Sequence, residues 1–129
     1  MKCFVRIMML VISLLTVSVV TMPSVSLAED VWAYSEDEYV DVYVDTDRIS
    51  VDNREPRYRG LVKMVSREDG SLMNFYPAGF DYRNGQLVGF TYFRSQGYWE
   101  YHGAVVNDSR MNAIWKVMKP YLKQKGASL

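Results

Sequence analysis

The sequence has 129 residues, enough for one domain, with 15 basic and 15 acidic side chains, so its formal charge is zero with the single histidine neutral. That balance argues against a nucleic-acid binder, which carries a clustered basic excess. Cys3 is the only cysteine, so no disulfide can form within the chain.

The chain opens with Lys2 and Arg6 in MKCFVR, followed by the apolar run IMMLVISLLTVSVV (7–20) and by TMPSVSLA, with small residues at Ser26 and Ala28. A basic start, a short apolar run and a small-x-small exit predict a secretory signal peptide over 1–28, cleaved after Ala28. The run is shorter than the roughly 20 apolar residues a spanning helix needs, so no stable membrane span is expected after cleavage. Cys3 precedes the apolar run, far from the position a lipoprotein cysteine would take. The remainder, 29–129, then has no thiol nucleophile and no cysteine-ligated metal. Without Lys2 and Arg6 it carries 13 basic and 15 acidic side chains, a net charge of −2. An exported, cysteine-free chain of this kind reads as bacterial, periplasmic or extracellular.

Strand signals then follow in series. DVWAYS (30–35) predicts a short first strand, and SEDE breaks it. YVDVYVDT (39–46) alternates strictly, with Val40, Val42 and Val44 on a core face and Tyr39, Asp41, Tyr43 and Asp45 on the other. DNREPR is a proline-broken loop. YRGLVKMVS (58–66) is a third strand, and REDG suits a tight connection to SLMNFY returning antiparallel. A break is expected at Pro77 and Gly79, before FDYRNGQLVGFTYF (80–93). There Asn84-Gly85 marks a type I′ hairpin turn. SQG (95–97) marks another reversal, and a three-residue loop would set Phe93 opposite Trp99 and Thr91 opposite Tyr101.

Beyond Asn107 the period changes. Ala113, Ile114, Val117, Met118, Tyr121 and Leu122 recur at helical spacing, Asp108 or Ser109 can cap the helix, and Pro120 should end or kink it near 119. KQKGASL is expected to fray. The sum is an α+β domain over 29–129. Its antiparallel sheet of five or six short strands carries one C-terminal helix packed on one face.

Catalytic signals are sparse. Glu100 and His102 share one side of a predicted strand, but a zinc site wants three or four ligands, and no serine stands in a Gly-x-Ser-x-Gly elbow. The pair reads as polar strand residues, with a small hydrolase or metal-dependent enzyme centred on His102 as the alternative. The acids Glu36, Asp37, Glu38, Asp41, Asp45 and Asp47 lack the ordered ligand series and glycine of a calcium loop. No phosphate loop or dinucleotide fingerprint is present, and no metal or cofactor is expected. Ten tyrosines and three tryptophans instead point to a recognition surface. Tyr39, Tyr43, Tyr98, Trp99 and Tyr101 are the candidate contacts.

Together, DVWAYS, YVDVYVDTDRIS with its YVDTDRI segment (43–49), the aromatic GYWEY and the closing helix SRMNAIWKVMKPYL resemble the surface-adhesin protein E family. The resemblance spans most of 29–129. The cysteine pair that many members carry has no counterpart here. It implies a small exported sheet domain with a helix, sometimes binding host proteins, and brings no catalytic residues. The expected function is a non-enzymatic, adhesin-like binding module of the bacterial envelope or surface. A partner protein or an edge-paired homodimer would be its associate. A secreted inhibitor presenting the Asp81–Val88 hairpin is a further alternative.

Overall fold

Alternating valines and closely spaced turns leave the chain one economical arrangement, a meander in which each strand pairs with the next. A computed structural model describes residues 29–129; the expected signal segment lies outside the described residues. The strands are β1 (Asp30–Ser35), β2 (Val40–Val51), β3 (Tyr58–Ser66), β4 (Leu72–Arg83), β5 (Gln86–Phe93) and β6 (Tyr98–Ala104). They form one sheet in chain order, every neighbouring pair antiparallel. A single 3₁₀ turn, Val105–Asn107, leads to helix α1 (Ser109–Gln124). The structure is the expected α+β fold. Among the described residues no helix is long and apolar enough to cross a membrane.

The core forms where the predicted faces meet. Val42 and Val44 are fully buried, Val62 of β3 lies opposite Val44, and Ala78 and Phe80 continue the layer on β4. Helix α1 brings Met111, Ile114, Trp115, Met118 and Leu122 onto this layer at three- and four-residue spacing. The Asp108 carboxylate caps the helix, accepting from the Arg110 and Met111 amides at 3.1 Å each. Two strand glycines make room for the helix. A Cβ on Gly60 would stand 3.0 Å from the Met118 sulfur, and one on Gly89 would stand 2.7 Å from the Met111 methyl.

Three expectations about the strands are corrected. Strand β2 starts at Val40, not Tyr39, and runs to Val51, with an irregularity between Asp45 and Ser50. Tyr39 therefore precedes the strand, its amide held by Asp37 at 2.7 Å. Strand β4 does not break at Pro77. At that point it has β3 on one side only, because β5 pairing begins at Ala78, so a residue without an N–H is tolerated. The β5–β6 turn holds four residues, not three, and pairs Phe93 with Tyr98, Tyr92 with Trp99 and Thr91 with Glu100. The amides of Gln96 and Gly97 both donate to the Phe93 carbonyl, so the turn begins one residue earlier than SQG implied.

The helix also passes Pro120 and ends at Gln124. Pro120 is exposed, while Leu122 beyond it is fully buried. Burying a leucine is worth about 1.5–3 kcal/mol, comparable to the roughly 3 kcal/mol an interior proline costs. Gly126, at φ 91°, then closes the helix: its amide donates to the Lys123 carbonyl, and that of Ala127 to the Leu122 carbonyl. The expected frayed tail instead returns Ala127 and Leu129 to the core.

Candidate functional site

Because side chains alternate across a strand, the residues between the core positions line the opposite, helix-free face. Strand register places Tyr43 on β2, Arg59, Leu61 and Lys63 on β3, Phe75 and Pro77 on β4, Phe90 and Tyr92 on β5, and Trp99 and Tyr101 on β6 together on this face. The β2–β3 loop folds over one end of it. Pro56 is fully buried and sits where a Gly79 Cβ would be, at 2.3 Å. The Asp81 carboxylate fastens the loop, accepting from the Arg57 amide at 3.1 Å and from Arg57 Nε at 3.0 Å.

Beside this loop the sheet forks. Pairing of β3 with β4 extends to Val65–Leu72, and pairing of β5 with β6 extends to Phe93–Tyr98. Pairing of β4 with β5 stops at Ala78–Thr91. The gap holds a cavity of ≈ 450 Å³ lined by Phe75, Tyr76, Pro77, Tyr92, Phe93 and Arg94, among others. It adjoins one of ≈ 590 Å³ that shares Phe75, Pro77, Tyr92 and Arg94 and adds Arg48, Arg59 and Trp99. Together they form one groove across the helix-free face.

Its walls are aromatic and cationic. The Arg94 guanidinium lies 4.4 Å from the Phe75 ring centroid, and that of Arg59 lies 5.2 Å from Trp99. Tyr92 and Trp99 meet edge to face at 5.2 Å. No acidic residue lines either cavity. Most other cations of the face are engaged: Arg67 with Asp41 at 2.8 Å, Lys63 with Asp30 at 3.1 Å and Asp45 at 3.3 Å, and Arg83 with Glu55. The hydrogen bond from Arg67 holds the Asp41 carboxyl below its ordinary range, and that from Arg83 does the same for Glu55. Arg59 pairs with Asp52 at 3.2 Å. Among the described residues Arg48 and Arg94 form no ion pair.

The structure separates the sequence-derived candidates. Trp99 lines the groove, and Tyr101 follows on the same face of β6, under the Arg83 guanidinium at 4.5 Å. Tyr43 shares that face but stands on β2, with three strands between it and β6. Tyr98 points to the opposite side of β6, and Tyr39 lies outside the strands. The five do not form one patch. Phe75 and the arginines Arg48, Arg59 and Arg94 were not anticipated. Their signal is parity, since Arg59 alternates with the core positions Tyr58 and Gly60, but that reading needs the β4 partner to give it meaning.

His102 sits at an irregularity where Gly89 pairs with Gly103 and Phe90 with Tyr101, so the simple alternation expected through 98–106 breaks there. Its Nε2 is 2.6 Å from Thr91 Oγ1 and 3.9 Å from Glu100 Oε2. A nucleophile–base–acid relay requires the hydroxyl and the acid on opposite ring nitrogens; here both approach the same one. Among the described residues no group of three or more histidine, aspartate or glutamate side chains could hold a metal. The inhibitor-type hairpin is paired to its last residues, Arg83 with Gln86, around a tight Asn84-Gly85 turn with φ of 52° and 77°.

Comparison with protein-family models, with curated proteins and with solved structures returned no match.

Proposed function

We propose that the protein is an exported, non-enzymatic binding module of the bacterial envelope, and that the forked groove between β4 and β5 is its contact surface. One observation carries this reading: Phe75, Tyr92 and Trp99 converge with Arg48, Arg59 and Arg94 in a concavity without an acidic residue. Rigid aromatics supply contact area at low entropic cost, and arginine supplies charge and stacking. Export rests on the 1–28 pattern, and the resemblance to surface-adhesin protein E agrees with binding at the cell surface. The placement of His102, with its two polar neighbours on one nitrogen, favours no catalytic alternative.

The test is partner capture with the full-length chain, tagged at its C terminus and expressed in its own cells. A saturable partner should be recovered with the Tyr39→Ala variant, whose side chain lies outside the groove. It should be lost with the combined Tyr92→Ala and Arg94→Glu variant. Equal recovery by both variants would sink the groove as the contact surface.

A further inference from the structure

We infer that the groove takes an extended, acidic peptide segment of a partner protein, added as a strand on the open side of β4. This rests on the binding reading above and specifies its ligand. Between Leu72 and Pro77, β4 pairs with β3 but has no strand on its other side. That open side carries backbone hydrogen-bonding groups. The Phe75 amide donates to the exposed side-chain oxygen of its own neighbour Asn74 at 2.9 Å, a local substitute for a strand partner. In an antiparallel ladder the amides of alternate residues point the same way. Pro77, two residues on, therefore leaves no unmet donor where the fork closes. An edge of six residues spans about 20 Å at the usual rise, enough to seat a short extended segment.

Side chains around the fork indicate what that segment must look like. Leu72, Met73, Phe75, Phe93 and Tyr98 are five of the eleven exposed large apolar side chains, and all flank this gap. An open, apolar strand edge is a pairing template unless something covers it. Successive side chains of an added strand would alternate between the two faces of the sheet. Those turned to the helix-free face would meet Phe75 and Tyr92 with Arg94 and Arg48, which lack ion-pair partners among the described residues. Charge complementarity thus selects carboxylates interleaved with apolar or aromatic residues. A small anion would satisfy the arginines and leave the β4 edge bare; an extended peptide satisfies both.

The experiment uses the purified full-length protein and a synthetic peptide of about nine residues, alternating glutamate with valine and tyrosine, long enough to cover the edge. Amide hydrogen exchange and fluorescence titration are read together. Saturable binding is expected, with the Phe75 amide slowed by about tenfold or more on saturation. A lysine-for-glutamate peptide, and the acidic peptide N-methylated at alternate residues, should bind about tenfold more weakly or not at all. Arg94→Glu and Arg48→Glu should each weaken the acidic peptide without changing the melting temperature. Equal binding of the N-methylated peptide would overturn strand addition while leaving the groove as a binding site. Absence of saturable binding by the acidic peptide would overturn the inference. So would protection of Phe75 that rises with protein concentration alone, which would assign the edge to a second copy of this chain. Partner capture tests the underlying reading separately.

Discussion

Two glycines show how a residue's value depends on what lies above it. Gly79 carries Pro56 on the helix-free side, with Trp99 also within 3.1 Å of where its Cβ would stand. A proline ring cannot retract, so Gly79→Ala should destabilise by about 1–3 kcal/mol, as overpacking does, and should loosen the β2–β3 loop. Gly89 faces only the end of the Met111 side chain at its closest approach. A methionine adapts readily, so Gly89→Ala should cost under about 1.5 kcal/mol. Denaturant titration of both variants checks the order, and equal losses would contradict it. Asp81 makes a parallel case. It is 4 % exposed and accepts from both the backbone and the side chain of Arg57. Asp81→Ala should cost about 1–3 kcal/mol through the donors it abandons. Neither role is written in the local sequence, where Gly79 reads as a strand breaker and Asp81 as a hairpin polar residue. Both depend on a loop that arrives from more than 20 residues away.

Among the elements, α1 and β4 each run through a proline for different reasons. In β4, Pro77 stands where one side of the strand is unpaired, so nothing in the ladder is lost. In α1, Pro120 interrupts a helix that packing maintains, with Met118 before it and Leu122 after it both fully buried. Pro120 itself is exposed, so Pro120→Ala removes the penalty without disturbing the core. It should stabilise the protein by up to about 3 kcal/mol, read as a higher melting temperature and a more protected last turn in hydrogen exchange. A fall in stability would mean that the proline ring itself contributes to helix docking. The fork is likewise a property of elements. It exists because the β3–β4 and β5–β6 pairings both outrun the pairing between β4 and β5. Turn chemistry located both outer hairpins in the sequence, but the point where β4 and β5 separate follows from the twist and length of four strands together.

At the scale of the whole molecule, charge sets a stability window. Asp41, Asp52, Glu55 and Asp69 are all held below the ordinary carboxylate range, by hydrogen bonds from Arg67, the Arg54 amide, Arg83 and Ser71 respectively. The folded protein binds these protons less readily than the unfolded chain. Their contribution is therefore complete above about pH 4.5 and is lost as pH falls through the lower folded-state values. Tyr34 moves the other way, pushed well above its ordinary value by burial and by the neighbouring Tyr76. Its contribution is complete below about pH 10 and is lost as pH rises beyond that. Stability should be flat between about pH 5 and 9 and fall on both sides. Arg67→Met should soften the acid limb alone and Tyr34→Phe the alkaline limb alone, each measured by urea unfolding across pH.

The sequence by itself determined the strand regions other than the continuity of β4, the valine core face, the Asn84-Gly85 hairpin, the Asp108 cap and the amphipathic helix, because periodicity, turn conformation and capping act over a few residues. Only the tertiary structure decided where the sheet forks, which arginines are left without carboxylates, and why Trp99 joins a groove while Tyr39 and Tyr43 do not. Those outcomes depend on register between strands and on contacts across the sheet, and no local pattern carries either.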